Sequence, residues 1–260
     1  MIIMDGGLFR LDLYGCQGWN TPDDLFAVFE EIQTQFAWQW SVRGLGTIED
    51  PKRFRAEVNR LSGELSQKGY KPYPMMDIIA PYTGLNRHGE QIFRDVFATP
   101  LLAPPDGLAF ISNTSRRFDH WYNDKLIDIS TASNTLMQRY AALARFLIPR
   151  LQPSYLWSAE YEDDLDIENY THWPKGTFKI MYWLNYFGPD VLTPEQKALF
   201  ENPPIGFVEH FPDGGLWYQL SEDFEQAGHP YEEFIQLEKQ VIKHFAPLGV
   251  EDMIWKFFAP

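Results

Sequence analysis

The sequence predicts an α+β fold, and three observations carry the prediction. Apolar stretches of strand length come in groups between helical stretches, without the steady alternation that a parallel α/β sheet requires. Helix starts are legible at Thr21-Pro22-Asp23-Asp24 and Asp50-Pro51, where a capping side chain precedes a proline at the first helical position. Finally, 260 residues with 45% apolar and 16% aromatic side chains can fill one large core. The expected architecture is mixed or antiparallel sheet groups packed with about five helices, in a single large domain or two tightly joined halves.

From the N-terminus, Leu8 to Tyr14 alternates Phe9, Leu11 and Leu13 with Arg10 and Asp12, as a half-buried strand does. Gly15-Cys16-Gln17-Gly18 breaks it. Leu25, Val28, Phe29, Ile32 and Phe36 then form the stripe of a first helix, and Phe54, Val58, Leu61 and Leu65 that of a second ending near Gly69. Between Lys71 and Gly107, Met75 to Ala80 and Ile92 to Ala98 read as strands between proline-bearing loops. Leu108 to Ser112 and Leu126 to Ile129 read as two more.

Leu136, Tyr140, Leu143, Ala144, Leu147 and Ile148 mark the clearest helix, expected to stop at Pro149 and Pro153, where an internal boundary is plausible. Tyr155 to Tyr161 is expected as a strand. Phe178 to Phe187 is expected as one buried aromatic strand closed by Gly188-Pro189. Thr193-Pro194-Glu195 opens a short helix. Ile205 to Phe211 and Leu216 to Leu220 form a hairpin across Pro212-Asp213-Gly214-Gly215, and a last helix covers about Tyr231 to Phe245.

Charge narrows the function. Residues 1–150 hold 16 Lys+Arg against 17 Asp+Glu, a net of −1, whereas residues 151–260 hold 6 against 19, a net of −13. Such a field repels nucleic acid and anionic membranes and speeds encounter with a basic protein. The single cysteine, Cys16, excludes an internal disulfide and the multi-cysteine zinc patterns, and fits a reducing cytoplasm. No apolar run reaches the length of a signal peptide or a membrane span, so a cytoplasmic protein is expected.

The densest acidic stretch is Glu160-Tyr161-Glu162-Asp163-Asp164-Leu165-Asp166-Ile167-Glu168, with no Lys or Arg between residues 151 and 174. Like charges this close are tolerated where solvent or a basic partner neutralises them. Asp164, Asp166 and Glu168 have an alternating spacing suited to calcium, but the hinge glycine and distal glutamate of an EF-hand are missing. Asp190 followed by Glu195-x-Lys197 imitates a nuclease metal motif, yet Thr193-Pro194 puts the latter pair in a helix, too close for two strands. The six histidines form no zinc-binding spacing. Cys16 lies in no recognisable nucleophile setting, and serine-hydrolase, Walker and dinucleotide motifs do not occur.

These features favour a binding protein that uses no cofactor, metal or catalytic residue. The candidate partner-binding residues are Glu160, Glu162, Asp163, Asp164, Asp166 and Glu168, with Trp157, Tyr161 and Trp173 as aromatic anchors beside them.

Three features also carry a resemblance: Trp183-Leu184-Asn185-Tyr186-Phe187-Gly188-Pro189 after an aromatic strand, Gly214-Gly215-Leu216-Trp217-Tyr218-Gln219-Leu220, and the closing helix. Together with the N-terminal strand and early capped helix, this layout resembles the immunity protein 52 family of TsiT-like proteins that accompany type VI secretion effectors. The resemblance implies a cytoplasmic, non-enzymatic protein that binds a cognate toxin carrying a restriction-endonuclease-like domain of the Tox-REase-5 type, and it supplies no contact residues. A carboxylate-based hydrolase and an acidic adaptor for another basic protein are the alternatives.

Overall fold

A computed structural model describes residues 8–18, 22–42, 45–68, 76–80, 84–85, 91–92, 95–103, 107–113, 129–161, 178–222 and 231–254. Along the chain these form β1 (Leu8–Tyr14), α1 (Pro22–Phe36), β2 (Gln39–Val42), β3 (Gly46–Ile48), α2 (Pro51–Gln67), β4 (Met76–Ala80), β5 (Gly84–Leu85), β6 (Gln91–Ile92), β7 (Asp95–Ala103) and β8 (Gly107–Asn113). There follow α3 (Ile129–Leu151), β9 (Tyr155–Tyr161), β10 (Ile180–Tyr182), β11 (Leu184–Phe187), α4 (Pro194–Ala198), β12 (Phe207–His210), β13 (Leu216–Gln219), α5 (Tyr231–Phe245), a 3-10 turn at Ala246–Leu248, and β14 (Asp252–Ile254). The fold is α+β.

Ten strands make one sheet in the order β12-β13-β11-β9-β1-β8-β7-β4-β2-β3. Every ladder in it is antiparallel. The N-terminal strand lies in the middle, Leu11 opposite Phe110 of β8 on one side and Ser158 of β9 on the other. This position corrects the half-buried reading of β1: Asp12 is 3% exposed, as covered as Leu11 and Leu13 on the other face. The alternation was real, but a strand with a neighbour on each side and layers above and below buries both of its faces.

Helix α3 packs on the face carrying Leu11 and Leu13, and Phe36 of α1 meets its Phe146 edge to face at 5.4 Å. Proline 149 does not stop α3, which ends two residues later. The N–H of Gln152 still reaches Ile148 O at 2.9 Å, and Gln152 itself, at φ 45°, turns the chain into Pro153. The N–H groups of Gln17 and Gly18 both donate to Leu151 O at 2.9 Å, so the glycine-bearing loop after β1 satisfies the helix end. Residues 149–153 thus join α3 to β9, and β9 pairs with β1.

Phe178 to Phe187 holds two strands where one was expected. Asn185 accepts from Tyr182 N at 3.3 Å and donates to Tyr182 O at 2.8 Å, folding the chain at Trp183. Strand β10 thereby leaves the main sheet for a parallel pairing with β14, while β11 stays between β9 and β13. Of the strand expected at Leu126 to Ile129, residues 126–128 lie outside the described set, and Ile129 is the first residue of α3. Ile92 to Ala98 is divided between β6 and β7.

Candidate functional site

Strand directions decide where the acidic segments leave the sheet. Strand β9 runs from Tyr155, opposite Tyr14, to Tyr161, opposite Leu8. Leu184 at the start of β11 pairs with Ser158, and Gln219 at the end of β13 pairs with Leu184. The chain therefore departs toward Glu162–Glu168 and toward Glu222–Glu225 at the same end of the sheet, with β11 alone between the two exits. At roughly 4.8 Å per strand, β9 and β13 are about 10 Å apart across the sheet, and β9 runs on from Ser158, level with Gln219, to Tyr161.

A second acidic stretch, Glu222, Asp223 and Glu225, was not singled out from the sequence. Its sequence signal is the absence of any Lys or Arg between Lys197 and Lys239, but that the strands leading into the two stretches end at the same end of the sheet is legible only in the topology. Of the three residues, Glu222 is described and exposed. Glu160 and Tyr161 are placed in β9, with their side chains outside the described residues, as are Glu162, Asp163, Asp164, Asp166, Glu168 and Trp173 altogether.

Trp157 is placed in the core, which corrects its reading as a surface anchor. It is 5% exposed, stacks on Tyr182 at 4.1 Å and donates from Nε1 to the Tyr14 hydroxyl at 3.3 Å. Its register explains this: Trp157 lies opposite Asp12 on one side and Asn185 on the other, on the sheet face that β10 covers.

Around it is a buried polar and aromatic cluster. Tyr14 donates its hydroxyl to Asp12 Oδ2 at 3.0 Å, and Tyr155 donates to Asn185 Oδ1 at 3.0 Å. Burial, reinforced at Tyr14 by the charge of Asp12, raises both phenols well above the ordinary tyrosine range, so each stays a hydrogen-bond donor at neutral pH. The arrangement ties β1, β9, β10 and β11 together.

Among the described residues, the remaining chemistry-bearing groups do not converge. Among the described residues, no three His, Cys, Asp or Glu side chains stand where they could hold a metal ion. Glu195 and Lys197 share the short α4, whose Thr193 and Gln196 form a reciprocal cap, and Lys197 donates to Pro189 O at 2.8 Å. Backbone hydrogen bonding at the start of α4 lowers the Glu195 pKa. Cys16 is buried. No helix among the described residues is long and apolar enough to cross a membrane. In comparisons with known proteins, the sequence matches no family model and no curated protein.

Proposed function

We propose that this chain is a cytoplasmic immunity protein that binds a cognate secreted toxin, a nuclease with a basic surface, and neutralises it by stoichiometric contact. The observation that supports this reading is that β9 and β13, the strands that lead into the two acidic stretches, end at one end of the sheet, within residues 151–260, which carry a net of −13. A nuclease must present positive charge to bind phosphates. A focused acidic surface attracts that charge and competes with nucleic acid for it.

Affinity capture with the tagged protein from its native bacterium, at low and high salt, tests the proposal. The expected result is one basic nuclease, retained in stoichiometric amount at low salt and inhibited by the purified protein. Recovery of no partner at either salt, or of one whose activity is unaffected, overturns the proposal. The charge reversal E162K, D163K and D164K should slow association by about tenfold and flatten its salt dependence.

A further inference from the structure

We infer that the open edge of β12 is where the partner docks, by adding a basic extended segment beside it; this rests on the partner reading above and specifies the contact. Among the described residues, β12 is the last strand of the sheet and pairs with β13 alone. Phe211 N donates to Gly215 O at 2.9 Å. In an antiparallel ladder the residues in step with Phe211, namely Glu209 and Phe207, also turn their backbone groups toward β13. Val208 and His210 therefore turn their N–H and C=O groups outward, the pattern an added strand requires.

The edge has a firm backing. On the face toward α3, Arg145 pairs with Glu209 and lies 4.3 Å over the Trp217 ring, and Phe211 stacks on the same ring at 6.1 Å. His210 is exposed and Val208 half-buried.

Charge selects the occupant. Asp190, Glu195 and Glu201, in the chain leading into β12, and Asp213, in the turn after it, are all exposed carboxylate residues. The cations among these elements are already engaged, Arg145 with Glu209 and Lys197 with Pro189 O. A second copy would bring the same carboxylates and a formal charge of −14 against this edge, whereas a basic segment gains from both. Pro204 before the strand and Pro212 after it keep the edge short, so an added strand has little room to slip in register.

Amide hydrogen exchange of Val208 and His210, in the free protein and in complex with the captured partner, tests this, with the inward-facing Glu209 amide as reference. Both outward amides should exchange fast in the free protein and slow by about tenfold or more in the complex, with Glu209 little changed. Val208→Pro removes an outward N–H and spares the ladder to β13, so it should weaken binding by about tenfold while Glu209 stays protected. Fast exchange at both positions in a complex that forms overturns the edge and leaves the partner reading standing; recovery of no partner overturns both. Slowing that appears with the protein's own concentration assigns the edge to a second copy and overturns the inference.

Discussion

Gly18 stands where no other residue fits. A methyl group there would fall on the carbonyl of Arg150, at the place where Gln17 and Gly18 close the end of α3. Gly18→Ala is expected to cost about 2 to 3 kcal/mol, since backbone rather than a flexible side chain must yield; chemical denaturation measures it. Asn185 is fully buried and serves Tyr155 and both backbone groups of Tyr182. Asn185→Leu should cost about 2 to 4 kcal/mol, through three stranded polar groups in a dry site. The tyrosines set an alkaline limit. Tyr14, Tyr155, Tyr186 and Tyr218 all have raised pKa values, with burial the largest cause at each. A raised folded-state pKa gives stability that is complete below the unfolded value, about 10 for tyrosine, and lost as pH rises toward the folded value. Urea midpoints should therefore be flat near neutrality in these groups' contribution and fall above about pH 10, and Tyr218→Phe should reduce that fall.

Elements with a local physical cause were legible in the sequence. The Asp50 side chain does accept from Lys52 N, at 3.2 Å, and α2 begins at Pro51. Thr193 accepts from Gln196 N while the Gln196 side chain accepts from Thr193 N, completing the cap of α4. Thr193→Ala should cost about 1 kcal/mol, measurable as a lower urea midpoint with an unchanged slope. Strands β2 and β3 were not read, although Trp40 and Val42, both buried, alternate with Gln39 and Ser41. Four residues of alternation beside a helix are a faint signal, and Trp40 is fixed by groups far from it: its Nε1 donates to Phe29 O at 2.8 Å and its ring stacks on Phe54 at 5.3 Å. The division of β10 from β11 was illegible for a similar reason. Its cause is β14, roughly seventy residues further on, and a parallel pairing leaves no mark on either strand alone.

At the scale of the molecule, the acidic character of residues 151–260 was plain from composition, and the departure of the chain toward both dense stretches from one end of the sheet was not, because it depends on the directions of β9, β11 and β13. A net of −13 in residues 151–260 should make stability sensitive to ions. Raising NaCl from about 10 to 150 mM shortens the screening length from roughly 30 to 8 Å, so the thermal midpoint at pH 7 should rise by a few degrees; an unchanged or falling midpoint would show that the repulsion is already neutralised within the fold. Strand β1 has a further consequence, in time. It is synthesised before both strands it pairs with, and one of them, β9, ends at Tyr161. At about 5 to 20 residues per second, translation reaches that point some 7 to 30 seconds later. Through that interval the nascent chain carries a bare strand flank at the ribosome, and the seam between β1 and β9 can close only after β9 has emerged.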